Sequence, residues 1–294
     1  MNLSLPIAPS PDVSCCSDDS ALIRTDWKPT FPLCWFHTPW SSSRAGGRCL
    51  SRHPDFVAAK QERNLQAAER VISDLYTDRI FDLIENHVCY DDRPLVVAPI
   101  KTPEINKNAL SLAYAYAVAS TFGLYVDRSI ISKVTYRRDR KANNIDRLVA
   151  PTLFEGEVQS NKNYIIVDDV LTTGGTIATL KGYIEQNGGR VICTTTLAAG
   201  HGVAPLAHSG EMRQFGVKIA LSEATFDGLK EKLGKQFDEL DDAFRKGFHY
   251  GLQHLTEPEA QYILGQISYC KRRGEDFMDS FGKRLVQART RAVA

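Results

Sequence analysis

The chain has no long hydrophobic run: nothing in it approaches the roughly 18 apolar residues that span a membrane. Its first residues lack the basic start and apolar core of a signal peptide, so the expected location is the cytoplasm, with no membrane partner. Charge of neither sign dominates. Thirty-six Lys and Arg against 35 Asp and Glu leave a formal net charge of +1, which selects no partner by bulk electrostatics. Seven cysteines, an odd number unevenly spread, exclude the paired framework of a small secreted protein. G-x-G-x-x-G is absent and no Gly-Lys-Ser/Thr occurs, so neither a dinucleotide fingerprint nor a Walker loop is present. No internal repeat is found. What remains is globular in composition, 43% hydrophobic and 24% charged, and 294 residues hold one generous domain or a core with appended segments.

Three stretches follow from the patterning. Residues 1–55 are rich in Ser, Pro and Cys without sustained periodicity and read as an irregular N-terminal arm. Within it, Cys34-x2-His37 and Cys49-x3-His53 have zinc-like spacings. The ligand order is unusual and residues 41–47 are flexible in composition, so free thiols and surface histidines are the reading taken. Residues 56–222 read as an α/β core with a leading helix, whose stripe of Leu65, Ala68, Ile72, Leu75 and Tyr76 is packing. Strands are expected at 95–100, 129–136, 164–171, 191–197 and 217–221, with an Ala-rich helix ending near Thr121. Strands alternating with helix-length segments imply a parallel sheet, with ligands beyond the carboxyl ends of its strands.

Residues 223–294 read as a helical C-terminal extension. Phe226, Leu229, Leu233, Phe237, Leu240 and Phe244 recur at helical spacing, and Thr256 with Glu259 makes a capping box around Pro258. Lys271, Arg272, Arg273, Lys283, Arg284, Arg289 and Arg291 read as a solvated face; nucleic-acid contact is open but not indicated.

The most informative run is Tyr164-Ile-Ile-Val-Asp168-Asp169-Val-Leu-Thr172-Thr173-Gly174-Gly175-Thr176. An apolar strand ends in two adjacent carboxylates, then a Thr/Gly turn opens a helix whose buried face is Ile177, Leu180 and Ile184 and whose stop is Asn187-Gly188-Gly189. The turn therefore lies at a helix N-terminus, where free N–H groups and the positive dipole end attract an anion. Glycines permit close approach of a phosphate, threonine hydroxyls add donors, and the acid pair accepts hydrogen bonds from vicinal hydroxyls. Phosphate and diol together describe a ribose 5-phosphate site.

The run resembles the phosphoribosyl-pyrophosphate (PRPP) signature of the type I phosphoribosyltransferases, and more loosely the competence-associated subgroup. PRPP synthetases typically carry an acid where Thr172 stands, so the chain looks like a PRPP user. The resemblance implies that Asp168 and Asp169 hold the ribose hydroxyls and steady an oxocarbenium-like state, while Thr172, Thr173, Gly174, Gly175 and Thr176 hold the 5-phosphate. It implies a pyrophosphate loop after the first core strand, here 101–108 with Lys101, Thr102 and Lys107, although the glycine many relatives carry is missing. It also implies a closing loop, here with Arg137, Arg138 and Arg140, within the run 137–147. Mg²⁺ is the implied cofactor, with no side chain assigned as a metal ligand, and PRPP plus an unidentified acceptor base are the implied partners. A homodimer would be ordinary for such a family. The segment 197–201, with His201, is a candidate side of the base pocket. A PRPP-sensing regulator with reduced catalysis, or a nucleotide-modifying defence or toxin effector, would use the same signature.

Overall fold

Long-range strand pairing, rather than any one helix, sets the position of every polar loop. The computed structural model describes residues 23–25, 31–41, 48–86, 92–102, 107–133, 144–149, 151–200 and 216–293. One sheet contains β1 (Cys34–Pro39), β2 (Leu95–Val97), β3 (Tyr125–Asp127), β6 (Asn163–Leu171), β7 (Arg190–Ala199) and β8 (Gly216–Val217), with β4 (Ile131–Lys133) and β5 (Leu153–Glu155) forming a separate antiparallel pair. The sheet order is β3-β2-β6-β7-β1-β8, parallel throughout except for β8 against β1. This is the mostly parallel α/β arrangement expected.

Both faces of the central strands are buried, which is why they read as unbroken apolar runs. Val96, Ile165 and Val167 face a core built with α1 (Phe56–Gln61), α2 (Leu65–Leu75), α3 (Asp78–Glu85) and α4 (Leu110–Phe122). Leu95, Val97, Tyr164 and Ile166 face the other side, against Ile177, Leu180 and Ile184 of α6 (Gly175–Gln186). Helix α6 stops as expected: Gly188 takes φ +86°, and the Gly189 N–H returns to the Ile184 carbonyl at 2.9 Å. A third core joins α5 (Asn144–Val149) to α7 (Glu223–Leu233), α8 (Gln236–Phe248), α9 (Glu257–Arg273) and α10 (Phe277–Val293). Thr256 and Glu259 form the expected capping box at the start of α9.

Four expectations are corrected. Cys34–Pro39, inside the stretch expected to be irregular, is a core strand; its partner β7 lies about 160 residues away, so no local signal marks it. The strand expected at 129–136 is β4, outside the main sheet and paired with β5; the sheet strand is Tyr125–Asp127, too short to show a period. The leading helix is three helices, broken where Arg63 adopts φ +58° and Asn64 caps α2 through the Ala67 N–H. The helix carrying Phe226 to Phe244 is two, because Gly234 takes φ +52° between α7 and α8.

The zinc-like spacings are used for packing. Residues three apart on a strand point to opposite faces, so Cys34 and His37 cannot converge. Cys34 and Cys49 are free and buried. Neither histidine is a surface group: His53 pairs with Asp74 at 3.1 Å, and His37 is 3% exposed. The Thr77 N–H donates to His37 Nδ1 at 3.1 Å, which leaves the proton on Nε2 to donate to the Tyr114 hydroxyl at 2.8 Å. That hydroxyl passes its own proton toward Thr195 Oγ1 at 2.8 Å. Burial lowers the His37 pKa to about 3.

Below its ordinary pKa the unfolded chain protonates this imidazole while the native state does not, so stability present above pH 6.5 is lost as pH falls toward 3. One such group contributes a slope of about 1.4 kcal/mol per pH unit in that window. Urea unfolding of His37→Gln between pH 8 and 4 should show lower stability at pH 8 and a shallower fall toward pH 4 than the parent protein.

Candidate active site

At the carboxyl ends of β2, β6 and β7 lies a cleft of about 660 Å³, within the range of small-molecule sites. Strand β6 delivers Asp168 and Asp169 to its wall, and the turn that follows contributes Thr172, Thr173, Gly174 and Thr176. Gly174 caps α6 with φ +80°, a left-handed conformation that suits glycine, so the first amides of α6 open toward the cleft. The Leu171 carbonyl is held by the Gly200 N–H at 2.7 Å, which ties the turn to the end of β7. Thr176 Oγ1 lies 3.5 Å from Thr152 Oγ1. Gly175, the first residue of α6, lies behind the turn rather than on the lining.

The two carboxylates are unequal. Asp169 is 4% exposed, and its Oδ2 accepts from Lys60 Nζ and, at 2.9 Å, from Asn108 Nδ2. Burial drives its pKa up, but Lys60 and Asn108 outweigh burial and hold it below the ordinary carboxylate value. Asp168 accepts from Ser111 Oγ at 2.9 Å and from the Asp169 N–H at 2.8 Å, both on Oδ1. Burial first, then the neighbouring Asp169 charge, push the Asp168 carboxyl up to about 7 despite Lys60. One member of the pair is a fixed anion. The other sits near neutrality's edge, as functional carboxylates commonly do.

Cations surround this pair unevenly. Lys101 lies on the cleft lining, whereas Lys107 is exposed and Thr102 half-buried, both outside it. Arg147 of α5 lines the cleft and donates to Thr172 Oγ1 at 3.2 Å. Burial lowers its pKa, while Asp168 and Asp169 favour its charged form. Arg137, Arg138, Arg140 and His201 lie outside the described residues.

Several lining residues were not assigned a role from sequence. Lys60 stands in the leading helical segment, where its register gives no sign that it reaches a strand end more than a hundred positions later. Asn108 and Ser111 start α4, and a polar pair at a helix start reads as capping; here Asn108 Oδ1 does accept the Leu110 N–H at 3.0 Å while its amide reaches Asp169. Trp40 follows β1, and Pro258 belongs to α9, which brings the C-terminal helices to the rim of the cleft. The Thr256 hydroxyl donates to the Thr173 carbonyl at 2.6 Å, so α9 starts directly on the phosphate-type turn.

The chain resembles known proteins over much of its length. It is 32% identical over 247 residues to Protein TraN of Escherichia coli, covering 83% of this chain and 48% of that protein. It is 30% identical over 176 residues to a Haemophilus influenzae protein described only as uncharacterized, covering 60% of this chain and 36% of that protein. The chain thus spans about half, or less, of these relatives' length. An adenine phosphoribosyltransferase crystal structure from Leishmania tarentolae aligns over 57% of this chain and 70% of its own at 16% identity, with a TM-score of 0.29, too low to add weight. Residues 63–214 match the phosphoribosyl transferase domain, and with that match laid over the β6 turn, the acid pair and the parallel sheet, the chain belongs to the phosphoribosyl transferase domain family.

Proposed function

We propose that this chain is a PRPP-dependent phosphoribosyltransferase, which moves ribose 5-phosphate onto a nitrogen of a nucleobase or similar heterocycle and releases pyrophosphate. One observation carries the reading: the acid pair and the glycine-threonine turn at the α6 N-terminus open into the same cleft. The turn supplies amides and hydroxyls for the 5-phosphate. Asp168 accepts the ribose hydroxyls, and Asp169, locked by Lys60 and Asn108, keeps the pair's geometry. In the transfer, the bond from the anomeric carbon to pyrophosphate oxygen breaks with its electron pair, and the acceptor nitrogen forms the new bond and loses a proton. Positive charge grows on the sugar beside the carboxylates, which stabilise it electrostatically. Lys101 and Arg147 on the lining would meet the departing diphosphate, and the resemblance to the family assigns Thr102, Lys107, Arg137, Arg138 and Arg140 to the same role.

Mg²⁺ fits this donor set as a substrate-borne ion. Among the described residues no group of three or more His, Cys, Asp or Glu converges, whereas Mg²⁺ is commonly held by one or two carboxylates together with phosphates and water. Asp168 and Asp169 would contact it, and it would screen the diphosphate charge. Four free, buried cysteines among the described residues suit a reducing compartment such as the cytoplasm, and no helix of the described residues is long and apolar enough to cross a membrane. A PRPP-sensing role is favoured by a different observation, the seating of α9 on the turn through Thr256.

Incubation with PRPP, Mg²⁺ and a panel of bases should yield pyrophosphate with at least one base. Asp168→Asn/Asp169→Asn should lower that rate by roughly 100-fold or more. Tight PRPP binding without pyrophosphate release would favour the sensor, and no PRPP binding at all would overturn both.

A second expectation concerns stability. Because the native Asp168 pKa stands above its unfolded value, ionisation disfavours the fold increasingly as pH rises from about 4 to 7 and fully above 7. Asp168→Asn keeps the Oδ1 acceptor for Ser111 and the Asp169 amide. It should be more stable than the parent by roughly 1–3 kcal/mol at pH 8 and indistinguishable near pH 4, read by denaturant midpoints.

A further inference from the structure

Glu259 presents a second buried carboxylate to the anion-binding turn, from behind. It is 1% exposed, and a Cβ built on Gly175 would fall 2.5 Å from its Oε1. Gly175 opens α6, so this carboxylate lies beside the first residue of the helix whose N-terminus would face a phosphate. An uncompensated anion there would lower the local positive potential and repel the ligand.

The compensation comes from the opposite end of the chain. Arg24 is also 1% exposed, and its Nη1 and Nη2 reach Glu259 Oε2 and Oε1 at 2.6 and 2.9 Å, a two-point contact. Nη1 also donates to the His254 carbonyl at 3.0 Å, and the guanidinium lies 4.1 Å from the Tyr250 ring centroid. A Cβ on Gly175 would come within 2.9 Å of Arg24 Nη2, so the guanidinium stands at the turn beside the carboxylate.

The segment that carries Arg24 is seated on α6 itself. A Cβ on Gly182 would meet the Ile23 carbonyl at 2.5 Å and Arg24 Cα at 2.8 Å, so glycine in mid-helix makes room for the crossing. Thr25 Oγ1 donates to Glu185 Oε2 at 2.8 Å and accepts from the buried Lys181 Nζ at 3.0 Å. Glu259 meanwhile accepts the Thr256 N–H at 2.9 Å, within the capping box that also lets Thr256 hold the Thr173 carbonyl.

We infer that Arg24 and Glu259 are positioning residues for phosphate: Arg24 neutralises a carboxylate built into the back of the turn, and the docked segment 23–25 thereby makes the site competent for an anion. The inference rests on the reading of the turn as the 5-phosphate site. Affinity for phosphate then depends on an ion pair between residues 235 positions apart, neither of which lines the cleft.

The test is calorimetric titration of the full chain with ribose 5-phosphate. Arg24→Met should weaken binding by about tenfold or more, because it leaves the carboxylate facing the turn alone. Arg24→Met/Glu259→Gln should return affinity to within about threefold of the parent, since glutamine still accepts the Thr256 N–H and neither charge remains. Equal affinity of Arg24→Met and parent, or a double variant as weak as the single one, overturns the inference while leaving the 5-phosphate site standing. A parent chain that binds neither ribose 5-phosphate nor PRPP overturns the site and the inference together. Should Arg24→Met fail to fold, Glu259→Gln alone decides: affinity equal to or above the parent's supports the neutralising role, and a tenfold loss overturns it.

Discussion

Like charges gathered around one turn are the difficulty that this molecule has to accommodate. A helix N-terminus that attracts phosphate needs positive potential, yet Asp168 and Asp169 stand at the end of the preceding strand and Glu259 lies behind the same turn. Each fixed carboxylate has its own cation: Lys60 for Asp169 and Arg24 for Glu259. Among the described residues Asp168 has Ser111 and a backbone amide as hydrogen-bond donors, and burial with the neighbouring Asp169 charge raises its pKa. The residue left least satisfied is the one to which the proposed function assigns the sugar. A group whose hydrogen bonds are completed by the ligand favours the bound state over the free one, and the cost shows up as lost stability in the empty protein.

Several supporting side chains come from outside the region that defines the family, alongside Asn108, Ser111 and Arg147 within it. The matched segment covers 63–214, whereas Lys60, Trp40 and Arg24 precede it and Thr256, Pro258 and Glu259 follow it. The flanking segments are therefore part of the cleft's construction and not passive additions. Strand β1 enters the central sheet, and α9 begins against the turn. The pairing of a family-typical centre with its own surround is the physical basis for expecting an acceptor that the fold alone does not name.

Legibility from sequence followed the range of the interactions. The β6 run, its turn, the helix behind it and the Gly188 stop are all local, so composition and spacing in one stretch of chain were enough to place them. The capping box at Thr256 was readable for the same reason, but its seat on Thr173 was not, because the two lie 83 residues apart. Lys60 was hidden by its neighbours: in a helical segment with an apolar stripe, a lysine looks like the solvated side. Strand β1 was hidden by its short length and its Pro- and Ser-rich flanks, and only β7 gives it a reason to be extended. The expected strand at 129–136 shows the converse, a real extended tendency whose partner proved to be β5 and not the main sheet.

The place of β1 has a consequence for how the polypeptide reaches its native state. An N-terminal strand is sandwiched between β7 and β8, both made far later in synthesis, and Arg24 waits longer still for α9. Without β1 in place, β7 would present a row of unpaired amides and carbonyls along an apolar flank, a template for mispairing between copies. Excising residues 63–214 as a minimal domain would remove β1 and leave that edge open. Folding yield should thus depend on β1 as well as on the residues of the family core.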